Sequence, residues 1–284
     1  MADHHIHHLL PLILALILLI LPSSSHASNQ TDGLFSEPYD FLVSGNNLTD
    51  GNQTLSLQPD CGLYYYVNGT LVKNFQTNTD STGCILTINY FGQLVLDKGD
   101  GTQPQTLGTA GALGFYALLL TDDLLGVYGP RTWSNGILRS RTLKNKNLKQ
   151  ATSNNFIYSD NSIDGVANGN ATIATNEGVT AYITQKCTLS VKNSAGIIWE
   201  STPSINGSYV CYLWLTNRGP LLLQYEDSKG LQTQWTGGVL GEKNKYVAVL
   251  RSYGGIDIYG LKDGILDIPP VTAAVAKNIK MVTA

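Results

Sequence analysis

The chain has 284 residues, a formal net charge of −3 and only 14% charged residues, where a globular domain averages about 25%. So weak a balance excludes the basic footprint of a nucleic-acid or acidic-membrane binder. With 29 glycines, 15 tyrosines and four cysteines, in a length that suits one large or two ordinary domains, the composition predicts an all-β secreted protein.

Residues 1–27 read as a signal peptide. Leu9 to Leu21 is an almost unbroken apolar run, the length of a signal h-region and short for a membrane span. Ser25-His26-Ala27 then fits the small-x-small cleavage pattern, although the stretch before Leu9 carries histidines in place of Lys or Arg. All five histidines (His4, His5, His7, His8 and His26) lie in this segment. Cleavage after Ala27 leaves a chain without imidazole, which excludes Ser-His-Asp and Cys-His nucleophiles, His-ligated metals and a histidine general base. No metal or cofactor is expected, and no membrane partner once the signal is gone. The route is secretory, with an extracellular or vacuolar destination. Sequons at Asn29, Asn47, Asn52, Asn68, Asn170 and Asn206 are glycosylation candidates on that route.

Two domains follow, at 28–137 and 156–265. Cys61 and Cys84 stand 23 residues apart, Cys187 and Cys211 24 apart, with the second pair displaced by about 126. Four cysteines allow three pairings; the repetition favours Cys61–Cys84 and Cys187–Cys211. Each bridge closes a loop worth about 3–4 kcal/mol in the chain-entropy model. Phe41-Leu-Val-Ser-Gly-Asn-Asn-Leu48 also pairs with Phe156-Ile-Tyr-Ser-Asp-Asn-Ser-Ile163, displaced by 115, which implies an insertion of about 11 residues around 167–177 in the second copy. Inside each domain three segments recur: Leu57–Gly69, Leu86–Gly99 and Leu118–Pro130, then Ala181–Asn193, Leu213–Glu226 and Val247–Gly260. Each is a run of Leu, Val, Ile and Tyr bounded by turn formers, the signature of strand and turn. Three such units per domain predict a three-sided β assembly. Residues 138–155 carry Arg139, Arg141, Lys144, Lys146 and Lys149 and read as an exposed basic linker open to processing. Residues 266–284 read as a C-terminal propeptide.

Gln58-Pro-Asp-Cys-Gly-Leu-Tyr-Tyr-Tyr66 is the most informative stretch. On an extended strand Gln58, Asp60, Gly62, Tyr64 and Tyr66 point one way, roughly 6–7 Å apart, and Cys61, Leu63 and Tyr65 point toward the core. An amide, a carboxylate and phenols in one row suit a polyol: the polar groups exchange hydrogen bonds with hydroxyls, and an aromatic ring covers the apolar face of a sugar.

Here the chain resembles the bulb-type mannose-binding lectins of monocot plants, whose motif is Gln-x-Asp-x-Asn-x-Val-x-Tyr with a cysteine after the Asp. The resemblance covers about Phe41 to Asp263 and implies two tandem β-prism II domains, each of three four-stranded sheets about a pseudo-threefold axis. It assigns Gln58, Asp60 and Tyr66 to hydroxyls of mannose. Gly62 replaces the motif's Asn and Tyr64 its Val; losing the Asn costs a hydrogen bond worth roughly 0.5–1.5 kcal/mol. The third segment keeps Asp123, Val127 and Tyr128 as a weaker candidate, one residue short, with Thr121 and Leu125 in place of Gln and Asn. Asn89, Phe91, Gln93, Val95 and Asp97 lack the carboxylate. In the second domain, Thr184, Lys186, Thr188, Ser190, Lys192 and Thr216, Arg218, Pro220, Leu222, Gln224 match nowhere, and Arg251, Tyr253, Gly255, Asp257, Tyr259 keep only the Tyr. Trp133, Trp199, Trp214 and Trp235 are expected in the core.

The reading that follows is a non-enzymatic lectin for mannose-type glycans or glycoproteins, in plant defence or storage. Neighbouring Asp122 and Asp123 face opposite sides of a strand and cannot flank one glycosidic bond. Exchange of C-terminal strands within the family implies a homodimer or higher oligomer. Five damaged motif copies leave a second reading open: a lectin-like storage, taste-modifying or protein-recognition protein that has lost mannose binding.

Overall fold

In Gln53–Leu57 and Leu63–Val67, Leu55, Leu57, Leu63 and Tyr65 fall on one face and are buried, while Thr54, Tyr64 and Tyr66 fall on the other and are half-buried. A period of two commits such runs to half-buried strands. The computed structural model describes residues 33–37, 40–77, 81–121, 125–137, 155–159, 162–165, 171–201, 205 and 209–265. The expected signal peptide, residues 138–154 of the expected linker and the tail 266–284 lie outside them, as do Asn29, Asn170 and Asn206.

In the first half the strands are β1 (Gly33–Phe35), β2 (Leu42–Val43), β3 (Asn46–Asp50), β4 (Gln53–Leu57), β5 (Leu63–Val67) and β6 (Thr70–Asn74). β7 (Ile85–Ile88), β8 (Leu94–Asp97), β9 (Gln105–Leu107), β10 (Ala117–Leu120) and β11 (Leu125–Ser134) complete it. The second half repeats the series as β12 (Asn155–Tyr158), β13 (Ser162–Gly165), β14 (Ala171–Asn176), β15 (Val179–Ile183), β16 (Leu189–Asn193) and β17 (Gly196–Glu200). There follow β18 (Cys211–Leu215), β19 (Leu221–Asp227), β20 (Gly230–Gly237), β21 (Tyr246–Leu250) and β22 (Ile256–Gly264).

Each half has two antiparallel four-stranded sheets: β3-β4-β5-β6 and β2-β7-β8-β9 in the first, β14-β15-β16-β17 and β13-β18-β19-β20 in the second. The third sheets are joined as one of six strands, β1-β10-β11-β22-β21-β12. Inward side chains of all three faces meet in one core per half, among them Leu55, Leu63, Leu86, Leu94, Leu118 and Leu125 in the first, and Leu189, Leu213, Leu223, Leu250 and Ile258 in the second. Each fully buried leucine contributes about 1.5–3 kcal/mol, so no face is stable without the other two. The chain is therefore two tandem β-prism II domains. All six predicted segments fall on the hairpins of these sheets, and both expected disulfides are formed, with Cα–Cα distances of 5.6 and 5.5 Å.

The join rests on two long strands. β11 and β22 run antiparallel, and each serves both prisms. Opposite the start of β11, Leu261, Asp263 and Gly264 complete the third sheet of the first domain. Opposite the start of β22, Arg131, Trp133 and Ser134 complete that of the second. Ile265, 1% exposed, lies in the first core, and Trp133 packs against the second. The exchange of C-terminal strands implied by the family takes place here between the two domains of one chain.

Where the domains meet, Phe35, Ala117, Leu119, Tyr128, Val247, Val249 and Tyr259 form a third apolar cluster. Two arginines enter it. Arg251, 4% exposed, lies 3.5 Å over the Phe35 ring, donates to the Glu37 carbonyl at 2.8 Å and sits 3.8 Å from the Asp40 carboxylate. Arg131 reaches Asp257 at 3.2 Å and Glu37 at 3.9 Å, with its guanidinium over Phe115. The Tyr259 hydroxyl donates to the other oxygen of Asp257 at 3.3 Å. Burial, reinforced by the charge of Asp257, raises the Tyr259 phenol well above the ordinary tyrosine range.

One alignment made from sequence is corrected. Ser36 and Ser159 hold the same place: each amide donates to Tyr116 O or Tyr246 O, and each hydroxyl accepts from the same tyrosine's amide. The displacement is 123 there and 126 at Cys61/Cys187, so the second copy gains three residues, not about 11. Phe156 pairs on β12, the counterpart of β1, and not with Phe41. The extra residues fall between β13 and β14, since β2 and β3 are separated only by Ser44 and Gly45.

A proteolytic cut confined to the basic linker should leave the halves associated, because β11 and β22 each complete the other's sheet. Size exclusion of the trypsin-nicked protein should show one native species and two half-length chains only in denaturant. Two half-size peaks without denaturant would contradict the exchange.

Candidate carbohydrate-binding site

Gln58 to Gly62 is a tight turn between β4 and β5, not the extended strand expected from alternation. Gln58 N donates to Gly62 O at 2.8 Å, and Cys61 N returns to Gln58 O at 3.0 Å. Cys61 takes a φ of 66°, an uncommon conformation for a residue with a Cβ, and the bridge to Cys84 holds it there. Behind the turn, Thr77, 1% exposed, donates to Cys61 O at 2.7 Å and accepts from Leu63 N at 2.8 Å. Thr77 lies outside the motif, and only its place opposite the turn reveals this role.

The same backbone turn recurs at the other motif copies. Asn89, Thr184, Thr216 and Arg251 each donate to the carbonyl four residues on and accept from the amide three residues on. The residue three on has a positive φ every time: Gly92, Cys187, Gly219 and Gly254. The scaffold of the motif therefore survives in five copies while its side-chain chemistry is kept only in the first. Residues 122–124, including Asp123, lie outside the described residues.

In the first copy the side chains gather around the turn. Asp60 is exposed and its Oδ1 accepts from Gly62 N at 3.0 Å. Gln58 is half-buried and donates through Nε2 to Ser56 Oγ at 2.5 Å. Tyr64 and Tyr66 emerge from the same face of β5, with ring centroids 6.4 Å apart at 41°. Gly62 and Tyr64 are one feature. A Cβ on Gly62 would lie 2.5 Å from Cε2 of Tyr64 and 2.9 Å from its hydroxyl. The phenol thus fills the space into which a longer side chain at position 62 would point. Asn47 stands opposite Ser56, which stands opposite Tyr64, so that sequon shares the face of the site. Asn52 and Asn68 are exposed at the far end, Nδ2 of Asn52 donating to Oδ1 of Asn68 at 3.0 Å.

The weaker candidate is not brought together. β10 and β11 align with β21 and β22 so that Leu125 matches Ile256, Val127 matches Ile258 and Tyr128 matches Tyr259. The missing residue falls between Leu120 and Leu125, and it puts Val127, 0% exposed, on the core face. Tyr128, 2% exposed, is buried in the cluster between the domains. The matching copy of the second domain is closed in the same way, with Arg251, Asp257 and Tyr259 all buried.

Comparison with known proteins agrees with this geometry. A mannose-specific lectin of Colocasia esculenta is 31% identical over 258 residues, 86% of this chain and 89% of that protein. This chain belongs to the monocot mannose-specific lectin family. A second mannose-specific lectin, from Remusatia vivipara, is 30% identical over 260 residues, 89% of this chain and 93% of the relative. Among solved structures, the fetuin-binding two-domain lectin of Scilla campanulata superposes with a TM-score of 0.66 over 82% of this chain and 99% of its own, at 21% identity, which speaks to fold alone. No protein-family model matches. Gly62 and Tyr64, which stand where the motif the chain resembles has Asn and Val, are sterically coupled.

That coupling is measurable. Gly62→Asn alone should cost about 1–3 kcal/mol by overpacking against the Tyr64 ring, and most of that cost should vanish in a Tyr64→Val background. A double-mutant cycle on urea unfolding reads the coupling; strictly additive effects would contradict it.

Proposed function

We propose that the chain is a non-enzymatic lectin for mannose-class glycans and that Gln58, Asp60 and Tyr66 form its working site in the first domain. The observation that carries this reading is the turn itself: a bridged, Thr77-backed loop that presents an exposed carboxylate and an amide beside two phenol rings. A carboxylate has about four acceptor positions, so the one bond Asp60 accepts from the Gly62 amide leaves capacity for sugar hydroxyls. The Gln58 amide adds a donor and an acceptor, and the Tyr66 hydroxyl both. Tyr64 presents an aromatic edge where a smaller apolar side chain would serve, a wall for the face of the ring. The kinship with mannose-specific lectins of Colocasia esculenta and Remusatia vivipara supports the same class of ligand.

A single carboxylate among amide and phenol groups suits a neutral polyol. The loss of mannose binding is not favoured, because Gln58 and Asp60 are present on an intact turn and Tyr66 on the strand that follows it. Secretion, to the cell exterior or a vacuole, is supported by the apolar run at Leu9–Leu21 and by two disulfides of the kind that persist in oxidising compartments.

Asp60→Ala should weaken retention on a mannan column by at least about tenfold, the loss expected when a charge-assisted hydrogen bond worth about 1.5–3 kcal/mol is removed. Equal retention of both proteins would move the site elsewhere. A wild-type protein that neither column nor glycan array retains would reject the lectin reading.

A further inference from the structure

Trp214 stands on the wrong side of its strand for a core residue. On β18, Cys211, Leu213 and Leu215 face the core, so Tyr212 and Trp214 face outward, and Trp214 is 37% exposed. The prism does not need an aromatic there: the corresponding first-domain positions, two strands into the same hairpin, are Ile85 and Thr87. Trp133, Trp199 and Trp235 behave differently, meeting edge to face at 5.7 and 5.8 Å against the second core.

Across the sheet, Tyr212 stands opposite Gln224 and Trp214 opposite Leu222, while on the other side Glu226 stands opposite Leu231. Tyr212, Trp214, Gln224, Glu226 and Leu231 line a groove of about 310 Å³, within the range of about 300–1,000 Å³ typical of small-molecule sites. The Tyr212 hydroxyl lies 3.4 Å from Oε2 of Glu226, and Nε2 of Gln224 donates to Thr233 at 3.1 Å. An indole face, a phenol, an amide and a carboxylate converge there, with no cation among the lining residues.

We infer that this groove is a second saccharide site, for a neutral pyranoside whose apolar face lies on Trp214 while Gln224 and Glu226 take its hydroxyls. Indole and phenol cover the C–H face of a ring. The amide supplies donor and acceptor, and the carboxylate accepts only. The uncompensated carboxylate disfavours acidic sugars. Gln224 stands at the last position of this motif copy, where the first copy has Tyr66, but no lining residue matches the motif, and the groove does not depend on the Gln58–Tyr66 site.

The full chain carrying Asp60→Ala isolates it. A glycan array of mannose-, glucose-, galactose- and N-acetylhexosamine-terminated neutral glycans should show at least one ligand retained by this variant. Titration of that glycan should shift tryptophan fluorescence. Adding Trp214→Ala or Gln224→Ala should weaken binding by at least about tenfold, the effect of truncating a central anchor. If Trp214→Ala does not fold, Gln224→Ala and Glu226→Gln decide, since both are on the solvent face. A blank array for Asp60→Ala, residual binding indifferent to these substitutions, or a groove that takes only unglycosylated extended peptides overturns the inference.

Discussion

The structure depends on one exchange of strands. β11 and β22 each begin in one prism and end in the other, so neither domain has a complete third sheet of its own. A prism works only when three half-buried faces close on a common core, and here each closure needs the neighbour's strand. Ile265 in the first core and Trp133 against the second are the anchors of that mutual completion. The arginines follow from it. Charges as buried as Arg251 and Asp257 are tolerable only when paired and hydrogen-bonded, and the exchange brings Arg131 to Asp257 and Arg251 to Glu37 and Asp40.

That join also decides where ligands go. The third motif copies of both domains face one another across the Phe35–Tyr259 cluster, so their tyrosines are interface residues. The remaining copies keep the turn backbone and have been free to change side chains. In the first, the change is paired: glycine at 62 makes room for the ring of Tyr64, and a hydrogen-bonding amide is replaced by an aromatic wall. In the second domain, the outward aromatic has arisen at Trp214 instead, beyond the turn. Five copies share the turn backbone, and the side chains they carry on it differ.

Much of this was legible in the residues alone. Alternating leucines are local and mark strands directly, and the recurrence of cysteines fixed both the domain count and the bridges. What escaped notice was nonlocal. Nothing within Leu125–Ser134 states that its far end pairs with Ile256–Gly264, because both prisms could in principle complete themselves. Val127 falls on the core face because a single residue missing between Leu120 and Leu125 moves the later side chains to the opposite face. Phe41 was paired with Phe156 on the likeness of eight residues, whereas the structure follows the hydrogen bonds of Ser36 and Ser159. Trp214 is expected in the core with the other tryptophans, yet its alternation with Leu213 and Leu215 places it outside.

The central claim is that the two prisms are one cooperative unit because they share β11 and β22. Native-state hydrogen exchange on the full chain tests it most directly. The account predicts that amides of Gly126–Trp133 and Ile258–Asp263 exchange only through global unfolding, with one common free energy, and that calorimetry shows a single transition. Two separate transitions, with β22 losing protection while β11 keeps it, would contradict it.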